Sequence, residues 1–119
     1  MDPFVRRLVE RLHDPSRPLS RNRHFHTFDT PEGRSALKVS RRLKSLQKDI
    51  LACQREGQRA RFFRHVNEAG ENRIELHFER VQGSRVSHLK DAEFELLAQL
   101  PGVRDALHEG SAEKLEKTG

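Results

Sequence analysis

The chain has no tryptophan, no tyrosine, one methionine and one cysteine, Cys53. A single thiol excludes an intrachain disulfide framework and any zinc site built on paired cysteines. No stretch approaches the roughly 20 apolar residues that a membrane-spanning helix needs. The opening "MDPFVRRLVERL" is broken by charge every few positions, unlike the apolar core of a secretory leader. There is no Gly-x-Ser-x-Gly elbow, and Gly33 and Gly57 stand alone, so no glycine-rich loop cradles a phosphate. These absences point to a cytoplasmic, non-enzymatic protein that needs no cofactor.

What the chain has is charge. Charged and hydrophobic residues each make up 34% of 119 residues, seven Phe are the aromatic complement, and the net charge is +5. Such a composition supports one modest core. A single domain over residues 1–110 is therefore expected, with the apolar-poor segment 111–119 as a disordered tail. The charge is uneven: residues 17–64 hold 13 Arg or Lys against 4 Asp or Glu, whereas residues 65–119 hold 7 against 11. A local excess of one sign concentrates partners of the other, such as nucleic acid or an acidic protein face.

Asp2 before Pro3, followed by Phe4, Val5, Leu8, Val9 and Leu12 on one face, predicts an amphipathic helix over 1–13. Two prolines and no apolar period make residues 14–22 a linker. "HFHTF" alternates as a short strand would, with His24 and His26 on one side. Thr30 as cap, Pro31 at the first position and Gly57 beyond the end delimit a long helix running to about Arg55. Along it Ala36, Val39, Leu43, Leu46, Ile50 and Cys53 recur at intervals of three and four, a continuous apolar seam. Arg34, Lys38, Arg41, Arg42, Lys44 and Lys48 fall on the opposite face. That seam is expected to be covered by the domain's own sheet; left open, it would pair two copies into a homodimer.

After Gly57 the period changes to two, and "RARFFRHV", "RIELHFERV" and "RVSHL" read as strands separated by glycine-containing turns. Ile74, Leu76 and Phe78 should face the core, and Glu75, His77 and Glu79 water. Adjacent Phe62 and Phe63 must point to opposite sides, so one ring is left for something other than the main core. "AEFELLAQL" predicts a closing helix over about 91–100, capped by Asp91, and "VRDALHEG" a further turn or two. The expected class is α+β: a short N-terminal helix, then a long basic amphipathic helix packed on an antiparallel sheet of three or four strands, then a closing C-terminal helix.

The segment "RVSHLKDAEFELLAQL", residues 85–100, resembles the last strand and helix of single-strand DNA-binding coactivators, and also the strand-to-helix junction of winged-helix response regulators. The first resemblance implies a helix that closes a curved four-stranded sheet, and single-stranded DNA as partner. It covers sixteen residues.

Some chemistry needs only a few residues. His24 and His26 could face one cation, but two ligands are too few, a third would have to come from His65, His77, His88 or an acid, and Arg21 and Arg23 would repel the ion; no metal site is expected. Burial on the seam should raise the pKa of Cys53 and leave it inert. Phosphate binding needs only cations along a surface. The candidate residues are Arg34, Lys38, Arg41, Arg42, Lys44 and Lys48 of the helix, with Arg59, Arg61 and Arg64 around Phe63, whose ring would stack unpaired bases. The expected function is a small basic nucleic-acid-binding or regulatory protein acting on single-stranded or duplex nucleic acid. The alternative is an adaptor or scaffold docking on an acidic protein surface, anchored by the spare ring of the Phe62/Phe63 pair.

Overall fold

The structure is a computed structural model that describes residues 1–14, 16 and 28–110. Most of the expected linker over 14–22, the strand expected at "HFHTF" up to Phe28, and the expected tail over 111–119 lie outside the described residues. Phe28 itself packs against the core.

The chain opens with α1, Pro3–His13, whose first turn is closed by the Asp2 carboxylate accepting from Phe4 N at 2.7 Å and Val5 N at 3.3 Å. Val5, Leu8 and Val9 are buried and Leu12 is partly so, but Phe4 is 49% exposed and does not join the apolar face expected for it. Helix α2 spans Pro31–Arg55, its N-terminus capped by Thr30 Oγ1 accepting from Gly33 N at 3.0 Å. It stops where Gly57 takes a φ of +69°, a left-handed conformation cheap only for glycine. Both ends fall where the punctuation of the sequence put them.

Strands β1 (Ala60–Val66), β2 (Asn72–Phe78) and β3 (Arg85–Lys90) pair antiparallel in succession. The β1–β2 turn is held by Asn67 Oδ1, which accepts from Ala69 N at 3.0 Å and Glu71 N at 2.9 Å. The β2–β3 turn is tied to the end of α2: Glu56 accepts from Val81 N at 2.9 Å and from Arg80 at 2.7 Å. That pairing holds the Glu56 carboxyl below its ordinary pKa, the Arg80 hydrogen bond being the largest cause. Helix α3 (Asp91–Ala98) follows β3 directly. Its N-cap is Lys90, whose N–H donates to Glu93 Oε1 at 3.0 Å, so Asp91 is the first helical residue and not the cap. A single turn α4 (Val103–Ala106) leads into β4 (Leu107–Glu109).

Strand β4 completes the sheet in the order β3-β2-β1-β4 and runs parallel to β1, with Ala60 opposite Leu107 and Phe62 opposite Glu109. The sheet is therefore mixed. Its fourth strand comes from a segment expected to add only helix, because pairing with β1 gives those backbone groups ladder partners that a longer α4 would not need.

One face of the sheet carries Ala60, Ile74, Leu76, Phe78 and Leu89, each at most 1% exposed, toward the helices. The seam of α2 is core: Ala36, Leu43, Ile50 and Cys53 are fully buried, Leu46 nearly so and Val39 partly. It is covered chiefly by α1, with α3 and α4 beside it and the sheet behind. Within the stripe only Val39 keeps part of its side chain accessible. Burial pushes the Cys53 thiol up, consistent with an inert residue. Among the described residues no helix is long and apolar enough to cross a membrane.

Candidate functional site

Pairing sorts the cations of this fold. Arg6 reaches Glu95 at 2.6 Å and Glu10 at 3.2 Å, Arg73 reaches Glu71 at 3.5 Å, Arg80 reaches Glu56 at 2.7 Å, and Arg85 contacts Asp49. Four of the residues expected to bind phosphate lie within ion-pair distance of a carboxylate, Arg34 among them. Arg42 donates to Glu93 at 2.8 Å and to the backbone oxygen of His88 at 2.5 Å. Arg61 lies 3.8 Å from Glu79. Arg64 lies 3.6 Å from Asp91, with its guanidinium over the rings of Phe62 at 5.5 Å and Phe94 at 5.3 Å.

Arg42 sits on the flank of α2 that faces the free edge of β3. Its bond to His88 O occupies a carbonyl that an incoming strand would otherwise use, a common way of blunting a sheet edge. It belongs to the architecture of the domain more than to a free cationic surface.

Lys38, Arg41, Lys44 and Lys48 are different. All four are exposed on the outer face of α2, and among the described residues none has a carboxylate within ion-pair distance. Arg34 begins the row, loosely held by Asp29 at 3.8 Å and by a bond to its backbone oxygen. Successive members are three or four residues apart, so each cation neighbours the next on the helix surface. From Arg34 to Lys48 the row is about 21 Å long at the helical rise per residue. Like charges at these spacings cost a helix a few tenths of a kcal/mol per pair. The row therefore works slightly against folding, and a polyanion laid along it would relieve that repulsion.

The remaining expected residues do not join this row. Arg59 is exposed in the loop before β1. Arg61 and Phe63 lie on the sheet face turned away from the helices, a different side of the molecule from the outer face of α2. Phe62 packs on Phe94 with ring centroids 4.8 Å apart. Phe63 is 6% exposed. It meets the His77 ring edge-on at 4.6 Å and lies under Gly110, where a Cβ would fall 2.1 Å from its Cε1. Phe63 is thus covered from within the chain and Phe62 is packed on Phe94, so neither ring of the pair is left fully open for a partner.

A polar contact that the spacing did not suggest ties α1 to α2. His13 Nε2 lies 2.8 Å from the hydroxyl of Ser40, the one buried polar residue of α2. Burial lowers the His13 pKa, and the nearby Lys44 lowers it further.

No family model, no curated protein and no solved structure matches this chain.

Proposed function

We propose that this is a non-enzymatic nucleic-acid-binding protein that grips the phosphate backbone along the outer face of α2 through Arg34, Lys38, Arg41, Lys44 and Lys48. The observation that carries the reading is the run of Lys38, Arg41, Lys44 and Lys48, exposed side by side on one helix face. Arg6, Arg42, Arg73 and Arg80 are matched to carboxylates, while Lys38, Arg41, Lys44 and Lys48, neighbours on one helix face, keep none among the described residues. Phosphate contacts of this kind carry no sequence information directly, so binding is expected to be sequence-tolerant. Phe63 is covered and Phe62 packs on Phe94, so the reading rests on charge, and single- and double-stranded partners would be distinguished by charge density.

The adaptor reading relied on a spare aromatic anchor from the Phe62/Phe63 pair. Both rings are packed, which leaves that reading only the charge.

Fluorescence anisotropy with labelled single- and double-stranded DNA and RNA tests the proposal. The variant carrying Lys38→Gln, Arg41→Gln, Lys44→Gln and Lys48→Gln alters only exposed side chains and should remain folded. It should lose at least about 100-fold in affinity at low salt, whereas Arg73→Gln, which removes a cation already paired with Glu71, should change little. Equal affinity in the wild type and the fourfold variant would overturn the assignment. So would a protein partner recovered after nuclease treatment when no nucleic acid binds.

A further inference from the structure

The contact between His13 and Ser40 sits at the margin of the cationic row. His13 is the last residue of α1, and its ring crosses to α2, where Nε2 lies 2.8 Å from Ser40 Oγ. Ser40 immediately precedes Arg41 and stands four residues before Lys44, its neighbour on the helix surface. Arg41 and Lys44 both belong to the row, so the imidazole is set against its edge. Ser40 is buried, whereas His13 is half-buried and keeps access to protons from solvent.

This contact tolerates a change of charge. A hydroxyl donates to the neutral ring and accepts from the imidazolium, needing only to turn about its C–O bond. Protonation therefore adds a positive charge beside the row without breaking the link between α1 and α2. The C-terminal end of α1 is also where a helix best accommodates a cation.

The surrounding charges set how readily the ring takes the proton. From α2, Lys44 opposes it, adding to the larger effect of burial. The first helix brings Glu10, engaged by Arg6, and the neighbours Arg11 and Asp14. Helix α3, packed against both, brings Glu93 and Glu95, engaged by Arg42 and Arg6. Lys44 is thus the opposing charge that a ligand on the row would mask. A polyanion laid there sets phosphate against Lys44 and offsets its repulsion of the imidazolium. Coupling of this kind is reciprocal: a ligand that favours the protonated ring is held more tightly by it.

We propose that His13 couples phosphate binding on α2 to proton uptake, the ring gaining a proton as a polyanion covers Lys44, so that the grip tightens as the medium turns acid. The inference rests on the phosphate-binding reading of α2 and supplies its regulation.

The test is a nuclear magnetic resonance titration of the His13 ring in the full chain, alone and saturated with a short DNA duplex, joined to fluorescence anisotropy at pH 7.5 and 5.5. The pH of half-protonation at His13 should rise by at least about half a pH unit in the complex. On going from pH 7.5 to 5.5 the wild type should gain at least about twofold in duplex affinity beyond whatever His13→Gln gains. His88→Gln, which removes a histidine 67% exposed on the sheet face turned away from the helices, should keep that gain. The ring titration is made on the wild type, so it decides the matter even if His13→Gln folds poorly. A His13 titration that the duplex leaves in place, or an acid gain that His13→Gln keeps or His88→Gln loses, would overturn the coupling and leave phosphate binding standing. A duplex that binds at neither pH would overturn the phosphate reading itself, and the coupling with it.

Discussion

Truncating Leu43 to alanine probes whether the α2 seam is core. Leu43 is fully buried midway along α2, between Ala36 and Ile50, which are fully buried too. The change removes three carbons, about 2.4 kcal/mol of transfer free energy at roughly 0.8 kcal/mol per methylene. The residual cavity adds to this at about 24 cal/mol per Å3, so a space of roughly 50–100 Å3 contributes a further 1.2–2.4 kcal/mol. Alanine is a slightly better helix former than leucine, an offset of no more than a few tenths of a kcal/mol. The expected loss is therefore about 3–5 kcal/mol, a large share of the 5–15 kcal/mol that holds an ordinary domain together. In urea denaturation followed by far-ultraviolet circular dichroism, with a slope of about 1–3 kcal/mol/M, the midpoint should fall by at least about 1 M. Lys44→Ala, one residue along and exposed, should leave the midpoint nearly unchanged. If Leu43→Ala behaved like Lys44→Ala, or if its only effect were to turn a dimer into a folded monomer, the burial of the seam within one chain would be refuted.

Other consequences follow from single contacts. Arg42→Gln should cost about 1 kcal/mol by removing the bonds to Glu93 and to His88 O, a figure kept low because the guanidinium is 44% exposed, and should leave nucleic-acid affinity almost unchanged; thermal melts and anisotropy on one preparation check both. Gly110→Ala should drive the Phe63 ring from its cover or fray β4, read as lost amide-exchange protection at Leu107–Glu109. Burial and Lys44 hold the His13 pKa below that of the unfolded chain, so the unfolded chain binds the proton more readily; stability should be full above about pH 6.5 and decline as the pH falls below it toward the folded-state value, a dependence that His13→Gln should flatten in denaturation series from pH 7.5 to 5.

Much of this fold could be read along the chain, because its signals were local. Thr30, Pro31 and Gly57 bounded α2 through cap geometry, and alternation from Ile74 to Phe78 assigned inward and outward sides of β2 correctly. The readings that failed depended on partners distant in sequence. Strand β4 has three residues, too few for a period, and exists because β1 offers it a ladder. Phe63 is covered by a glycine, which carries no side chain to announce the contact. Periodicity placed Arg42 on the cationic face, but only the fold brings Glu93 and His88 O to it. Likewise Glu75 and His77 were visibly on one face, but His65 and His88 come to lie beside Glu75 only through the register of three strands. Of the ten expected site residues, Lys38, Arg41, Lys44 and Lys48 stand exposed together on α2 and Phe63 is buried, while Arg61 and Arg64 lie within ion-pair distance of Glu79 and Asp91.

The salt dependence of nucleic-acid binding tests the central claim most directly. Five phosphate contacts predict a slope of about −4.5 for log Kobs against log salt on duplex DNA and about −3.5 on a single strand; the duplex figure amounts to a loss of about 500-fold between 50 and 200 mM. The double variant Lys44→Gln/Lys48→Gln should reduce the duplex slope to about −2.7. A slope near zero, or one that the double variant leaves unchanged, would contradict the assignment of this face to phosphate binding.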